Sequence, residues 1–204
     1  MGKKIAIDTY YYSDTEAKTV GVIFNNWEDT EPSQILEAWT YEFGPYIPGE
    51  FYKRELPCML DLLKKVPDLK DYDAIIIDGL AHLPPCQKES KDISEALSNG
   101  LEPPDGLGIR LEQALHDLGI VDRSTDYGIN HVGIIGVAKS RFTGVDSDTG
   151  TSKIFRGNSK SPLYVNTTWF GYSSNSAGSC IMLMAGNGRI PTLLKLLDKL
   201  TKER

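Results

Sequence analysis

Apolar positions follow two rhythms along the chain. Residues 3–9 (Lys-Lys-Ile-Ala-Ile-Asp-Thr) alternate weakly and predict a strand, and residues 18–24, with Thr, Val and Ile, predict a second. Residues 34–43 fit a third strand or a short helix; the short spacings between these runs favour an antiparallel meander. Residues 73–78 (Asp-Ala-Ile-Ile-Ile-Asp) and 132–138 (Val-Gly-Ile-Ile-Gly-Val-Ala) lack alternation, which predicts strands covered on both faces. A helical rhythm places Met59, Leu60, Leu62, Leu63 and Val66 on one stripe and predicts a helix over 57–66 with Pro57 in its first turn. Glu55 then precedes that helix, where the backbone dipole favours a carboxylate. Leu107, Leu111, Ala114, Leu115 and Leu118 predict a helix over 107–118, and 190–202 reads as a closing amphipathic helix.

The remaining stretches read as connections. Two prolines and two glycines make 44–49 a loop, and Pro84, Pro85, Pro103 and Pro104 mark 84–105 as a surface excursion with a short helix at 90–98. Segments 151–157 and 162–168 predict a hairpin, and 171–180, rich in Ser, Gly and Asn, gives only a weak signal. Three strands followed by helix–strand–helix–strand make an α/β layered domain.

Composition narrows the class. The 204 residues suit one domain that needs no metal or disulfide merely to fold. No run of about 18 apolar residues is present, so no membrane span is expected. Asp8 interrupts the N-terminal apolar run too early for a signal peptide. Cys58, Cys86 and Cys180 are odd in number and show no CxxC spacing, which points to free thiols in a reducing, cytoplasmic compartment. The net charge of −6 speaks at first against a phosphate-rich partner. However, the span from Lys139 to Lys160, with Arg141, Lys153 and Arg156 between, is +3 and leaves −9 for the rest. Contact with a nucleic acid would concentrate there and at the site.

Three carboxylates end or flank apolar elements: Asp8 the first strand, Asp78 the later buried strand, and Glu55 a helix start. Strand mouths are where α/β folds place sites. Hard oxygen donors suit Mg²⁺, with Mn²⁺ also possible, and such an ion activates water for in-line attack on a phosphodiester. Strand-end turn formation explains Asp8 and Asp78 equally well. Lys139 closes the 132–138 strand; its ammonium is either a solvated turn residue or a group that neutralises charge on a leaving oxygen.

At this point the motifs carry a resemblance. Pro45-Tyr46-Ile47-Pro48-Gly49, followed by Phe51-Tyr52-Lys53-Arg54-Glu55-x-Pro57, resembles the PYIPG…FRE.P segment of the endonuclease V family. Asp78-Gly79…Ala81-His82 is similar to its DG.G.AHP segment, and Ile135–Arg141 to its IGVAKSR segment. Pro162-Leu163-Tyr164-Val165 is similar to PIFVS, and Arg189-Ile190-Pro191-Thr192 to the RIPEPTR tail, in order through nearly the whole chain. The resemblance implies a single ribonuclease-H-like domain over residues 1–204. Its mixed central sheet would have an antiparallel three-strand start and helices on both faces, with excursions near 84–105 and 121–131. It implies Mg²⁺-dependent cleavage on the 3′ side of inosine, a deaminated purine, in DNA or RNA. Asp8, Glu55 and Asp78 would be metal-site acids and Lys139 the catalytic lysine. Tyr46 would be a strand-separating wedge on the Ile47-Pro48 loop, Gly49, Gly79 and His82 would line the flipped-base pocket, and Arg141 would contact the strand.

The chain departs from the pattern in several places. The family's histidine, seven residues after the Pro of PIFVS, falls on Trp169, which neither ligates metal nor exchanges a proton. DG.G.AHP is contracted, two excursions are inserted, and the family's N-terminal helical arm is absent from this sequence. A same-fold nuclease of altered specificity and a non-cutting nucleic-acid binder are therefore the competing expectations.

Overall fold

The structure is a computed structural model that describes residues 2–45, 52–83, 106–121, 132–141, 150–168 and 173–204. Its frame is one seven-stranded sheet in the order β3-β2-β1-β4-β5-β7-β6, made of β1 (Lys3–Tyr11), β2 (Ala17–Phe24), β3 (Gln34–Thr40), β4 (Tyr72–Asp78), β5 (Gly133–Ala138), β6 (Ser152–Ile154) and β7 (Leu163–Thr167). β1, β2 and β3 form the expected antiparallel meander, β1, β4 and β5 run parallel, and β6 and β7 form an antiparallel hairpin. Residues 34–40 thus take the strand alternative.

Continuous apolar runs in β1, β4 and β5 arise because both faces are covered. On one face, α1 (Tyr52–Leu63) and α2 (Leu107–Asp117) pack Met59, Leu62, Leu63, Leu111 and Leu115 on Ile5, Ile7, Ile75 and Ile77. On the other, α3 (Ser174–Leu183) and α4 (Thr192–Lys202) pack Ala177, Ile181, Leu193 and Leu197 on Ala6, Ile76, Ile135 and Val137. Alternation of side chains between the two faces assigns each strand residue to one cluster or the other. Among the described residues no helix is long and apolar enough to cross a membrane.

Three boundaries differ from the sequence reading. α1 starts at Tyr52 and carries Pro57 inside it, which places Glu55 in the first turn rather than before the helix. Pro57 lacks the N–H that would bond the Lys53 carbonyl. Burial of Arg54, Cys58 and Met59 on the same helix outweighs that lost bond. β1 runs on to Tyr11, so Asp8 lies within the strand. α3 occupies the weakly patterned 171–180 region, started by Ser173, whose side chain accepts the Ser176 N–H. Its buried residues include only small Ala177 and Gly178 beside Ile181, and no wide apolar stripe announces it. The 90–98 helix and most of the 121–131 excursion lie outside the described residues.

The C-terminal helix is tied to the N-terminal hairpin. Lys18, 4 % exposed, donates to the carbonyls of Leu200 (3.1 Å) and Glu203 (2.9 Å) and pairs with Glu37 at 3.0 Å. Tyr12 donates its hydroxyl to the Thr201 carbonyl at 2.9 Å. A cation satisfying the last carbonyls of a helix is stabilising. Lys18→Met is therefore expected to cost about 1–2 kcal/mol and to lower the melting temperature by about 3–6 °C, read by thermal denaturation.

Candidate active site

Strand register brings the charged residues together. Ile7 pairs with Ile77 in the parallel β1–β4 ladder, so one step further Asp8 and Asp78 stand side by side on strands about 4.8 Å apart. Asp78 is opposite Val137 on β5, and Lys139, two residues on, lies on the same face as Val137. This is the α4 face, and α4 contributes Asp198. Asp8, Asp78, Lys139 and Asp198 surround a small cavity of about 30 Å³ based on Ile76, Val137, Ile190, Leu194 and Leu197.

Lys139 is the hub of the cleft. Its Nζ donates to Asp78 Oδ2 at 2.8 Å and lies 3.7 Å from Asp198 Oδ1. Burial disfavours its ammonium, but the hydrogen bond to Asp78 and the charges of Asp78, Asp8 and Asp198 outweigh that and hold its pKa above the ordinary lysine value. Its main-chain carbonyl accepts from Arg189, which also donates to the Pro162 carbonyl at 2.7 Å. The ends of β5 and β7 are thereby joined to the segment entering α4.

Glu55 arrives from the opposite layer, at the start of α1. It does not line the cavity. Burial, then the negative charges of Asp8 and Asp78, push its carboxyl up to about 8. Part of the residue reaches the surface, but enough protein surrounds the carboxyl for desolvation to dominate. The preceding Arg54 is buried, its guanidinium 4.4 Å from the Tyr11 ring and 5.0 Å from the Phe43 ring, which fixes the first turn of α1 over β1 and the end of β3. Asp8 is raised to about 6, chiefly by burial and then by Asp78, against the lowering effect of the Thr9 N–H at 2.9 Å and of Lys139.

These shifts set a stability profile. The folded protein holds protons on Asp8 and Glu55 that the unfolded chain has already released, so stability falls as pH rises between about 4 and 8. Glu55→Gln is expected to flatten the upper part of this fall in metal-free protein, measured as melting temperature against pH. An unchanged profile would mean that Glu55 is not the group responsible.

The donor chemistry fits a hard divalent ion: carboxylates whose burial, and then mutual repulsion, raises two pKa values, with no thiolate or imidazole among them. Among the described residues, however, no three His, Cys, Asp or Glu side chains close into a set able to hold an ion. The arrangement explains this, since Asp78 is engaged by Lys139, Asp198 by Lys202 at 2.7 Å, and Glu55 comes from the far layer.

The other sequence candidates divide three ways. Gly79 follows Asp78 with φ +101° and open space where a Cβ would stand, a backbone conformation suited to glycine. His82 is partly buried in the turn after Asp78, its pKa lowered by burial, and Arg141 is exposed just past Lys139. Tyr46, Ile47, Pro48, Gly49 and Trp169 lie outside the described residues. The basic span shrinks in the structure. Arg156 is buried, donating to the carbonyls of Met184, Gly186 and Gly188, and Lys139 is paired, which leaves Arg141, Lys153 and Lys160 on the surface.

Asp198 is the site residue that sequence reasoning missed. Its i, i+4 pairing with Lys202 resembles an ordinary solvated helix pair. The available signal was its place beside Leu194 and Leu197, on the margin of the stripe of a helix that packs on the strand mouths.

No protein-family model and no curated protein sequence matches the chain. Solved structures do match. A Bacillus subtilis endonuclease V has 16 % identity and a TM-score of 0.66 over 98 % of this chain and 79 % of its own. A Ciona intestinalis endonuclease V, in complex with a 24mer DNA containing an inosine followed by a ribo-adenosine, has 14 % identity and a TM-score of 0.67 over 98 % and 84 %. An Aquifex aeolicus Argonaute matches with 14 % identity and a TM-score of 0.50, over 98 % of this chain and 28 % of its own. The fold is the expected ribonuclease-H-like α/β arrangement, a mixed sheet with helices on both faces.

Proposed function

We propose that this protein is a metal-dependent endonuclease that hydrolyses a phosphodiester 3′ of a deaminated purine, inosine, in a DNA or RNA strand. The observation that carries the reading is the convergence of Asp8, Asp78, Lys139 and Asp198 at the mouth of the parallel strands. The structural likeness to endonuclease V proteins supports the class of substrate.

To hold Mg²⁺ or Mn²⁺, Asp8, Asp78 and Asp198 would have to draw together as Lys139 and Lys202 release Asp78 and Asp198, with Glu55 contributing from the α1 side. Such an ion, when bound, polarises the phosphate and lowers the pKa of a coordinated water. Glu55, protonated at neutral pH without an ion, would release that proton when a cation offsets the neighbouring charges. Lys139 would turn from Asp78 toward the scissile group and stabilise charge on the departing oxygen. Arg141, exposed just past Lys139, would contact the strand, and the segment with Tyr46 would supply the wedge.

The test is a nicking assay on single- and double-stranded DNA and RNA with one inosine, alongside uracil, mismatch and flap substrates, in Mg²⁺ and in Mn²⁺. Cleavage near inosine that disappears on chelation is expected. Best activity on a plain flap would replace lesion recognition with altered specificity. Salt-dependent binding without turnover in either metal would leave a non-cutting binder.

A further inference from the structure

β1 outruns its parallel neighbour at the mouth of the sheet. Its ladder with β4 reaches Ile7–Ile77, one step before Asp8 and Asp78, whereas its ladder with β2 carries on through Tyr10 and Tyr11. Asp8 shares the cleft with Asp198 of α4, and Tyr12, just past the strand, donates to the Thr201 carbonyl of α4. Tyr10 lies between these two on the same face of the chain, about 6.8 Å beyond Asp8. It stands on the lip of the cleft, outside the small cavity, and is 39 % exposed.

Packing fixes its ring. The Tyr10 and Tyr12 ring centroids are 5.0 Å apart with 76° between the planes, an edge-to-face contact. Tyr12 in turn stacks on Trp39 at 5.4 Å and 27°, and the Arg204 guanidinium lies over it at 4.9 Å. With the Tyr12 hydroxyl tied to α4, Tyr10 presents a braced aromatic surface that loses little freedom when a ligand covers it. A flat ring beside a charged cleft suits a nucleotide, whose base stacks while its phosphate sits among the charges.

The position also selects which base. The 79–82 turn rests on Gly136 of β5, so it flanks the Asp8–Asp78 pair on the β5 side, and Tyr10 flanks that pair on the β2 side. A phosphodiester held at Asp8 and Asp78 has one nucleoside on each side. With inosine toward the 79–82 turn, the base that meets Tyr10 belongs to the nucleotide 3′ of the cut.

We propose that Tyr10 is a substrate-binding residue that stacks on the nucleobase immediately 3′ of the cleaved phosphodiester, so that the site grips its strand on both sides of the cut. This rests on the nuclease reading. Every base has a face to stack, so the grip is indifferent to sequence and is lost only when the base is removed.

Fluorescence anisotropy of single-stranded inosine DNA with the full chain, at low salt in chelator, reads binding without cleavage. An abasic residue is moved one nucleotide at a time along the 3′ side of inosine. The wild type is expected to lose about tenfold in affinity at one position, the effect of one stacked base. Tyr10→Ala is expected to bind the intact strand about tenfold more weakly and to be indifferent to that abasic position, while Tyr10→Phe matches the wild type. A wild-type scan with no such position overturns the proposal without any variant, as does a Tyr10→Ala scan that keeps the wild-type penalty. In cleavage, Tyr10→Ala is expected to raise KM by about tenfold with kcat little changed, and the sensitive position must be the one just 3′ of the mapped cut. Binding without cleavage by the wild type ends the nuclease reading alone, and the abasic scan still decides the stacking. Cleavage with a Tyr10-independent scan ends the Tyr10 role alone.

Discussion

Asp78→Asn is expected to lower inosine-directed cleavage by about a thousandfold, equivalent to about 4 kcal/mol of transition-state stabilisation. Asparagine preserves the volume and can still accept a bond from Lys139, so the loss would be one of charge. Asp78 stands beside Asp8 in the ladder and is the residue that Lys139 holds at 2.8 Å. Its charge would both hold the ion and orient the lysine. Single-turnover cleavage across a Mg²⁺ titration measures the effect. The folded protein should not suffer, since Asp78 also raises the pKa values of Asp8 and Glu55, and removing its charge relieves repulsion. A loss below about tenfold with an unchanged metal dependence would place the chemistry elsewhere. Asp198→Asn should move in the same direction with a smaller loss, because Lys202 already screens that carboxylate.

The second large effect is on folding. Gly136→Ala is expected to destabilise the protein by about 3 kcal/mol and to lower the melting temperature by about 6–12 °C. The added methyl would meet the Ala81 nitrogen, the Gly79 oxygen at 2.7 Å and the Leu80 carbonyl carbon at 2.7 Å. All of these are backbone atoms and none can rotate aside. The turn is held from its other side too, where a Cβ at Gly108 would approach Ala81 to 2.7 Å and one at Gly106 would approach His82 to 2.6 Å. Lifting it would also break the bonds to buried Asn166, whose Oδ1 accepts the Ala81 N–H and whose Nδ2 donates to the His82 carbonyl, each at 2.8 Å. A melting temperature within 1–2 °C of wild type, about the effect of a surface change, would show that the turn is not seated this way.

Residues whose chemistry coincides with a change of pattern were legible in the sequence. Asp78 and Lys139 terminate uninterrupted apolar runs, and such runs are strands buried on both faces, so their ends had to emerge together at one edge of the sheet. Asp8 was legible for the same reason, although β1 continues beyond it because Tyr10 and Tyr11 still pair with β2. Helix-borne residues were harder. Pro57 suggests a helix that starts there, but the stack of Arg54 on Tyr11 and Phe43 holds an earlier first turn, and α1 starts at Tyr52. Asp198 was hidden because helical pairing with Lys202 is the commonest fate of such a residue. Lys4 carries no signal beyond its charge and Arg156 reads as part of the basic span, yet both are buried. Lys4 Nζ bonds the carbonyls of Gly2 and Asn25 at 2.8 Å each and pairs with Asp73 at 3.1 Å. Asn25 and Asp73, like the 184–188 carbonyls that hold Arg156, are too distant in sequence to leave a local trace.

The docking of α4 on the first hairpin has a kinetic side. Tyr12 meets the carbonyl of Thr201, 189 residues away, and Lys18 meets that of Glu203, 185 residues away. Contacts of such range form late, because their loop-closure entropy must be met before they contribute. During synthesis the β1–β4–β5 ladder can assemble with Asp8, Asp78 and Lys139 in register, while Asp198 waits on a helix not yet made. A growing chain can thus carry the strand ladder before the acidic cleft is complete, since Asp198 joins Asp8, Asp78 and Lys139 only when residues 192–202 close against the hairpin.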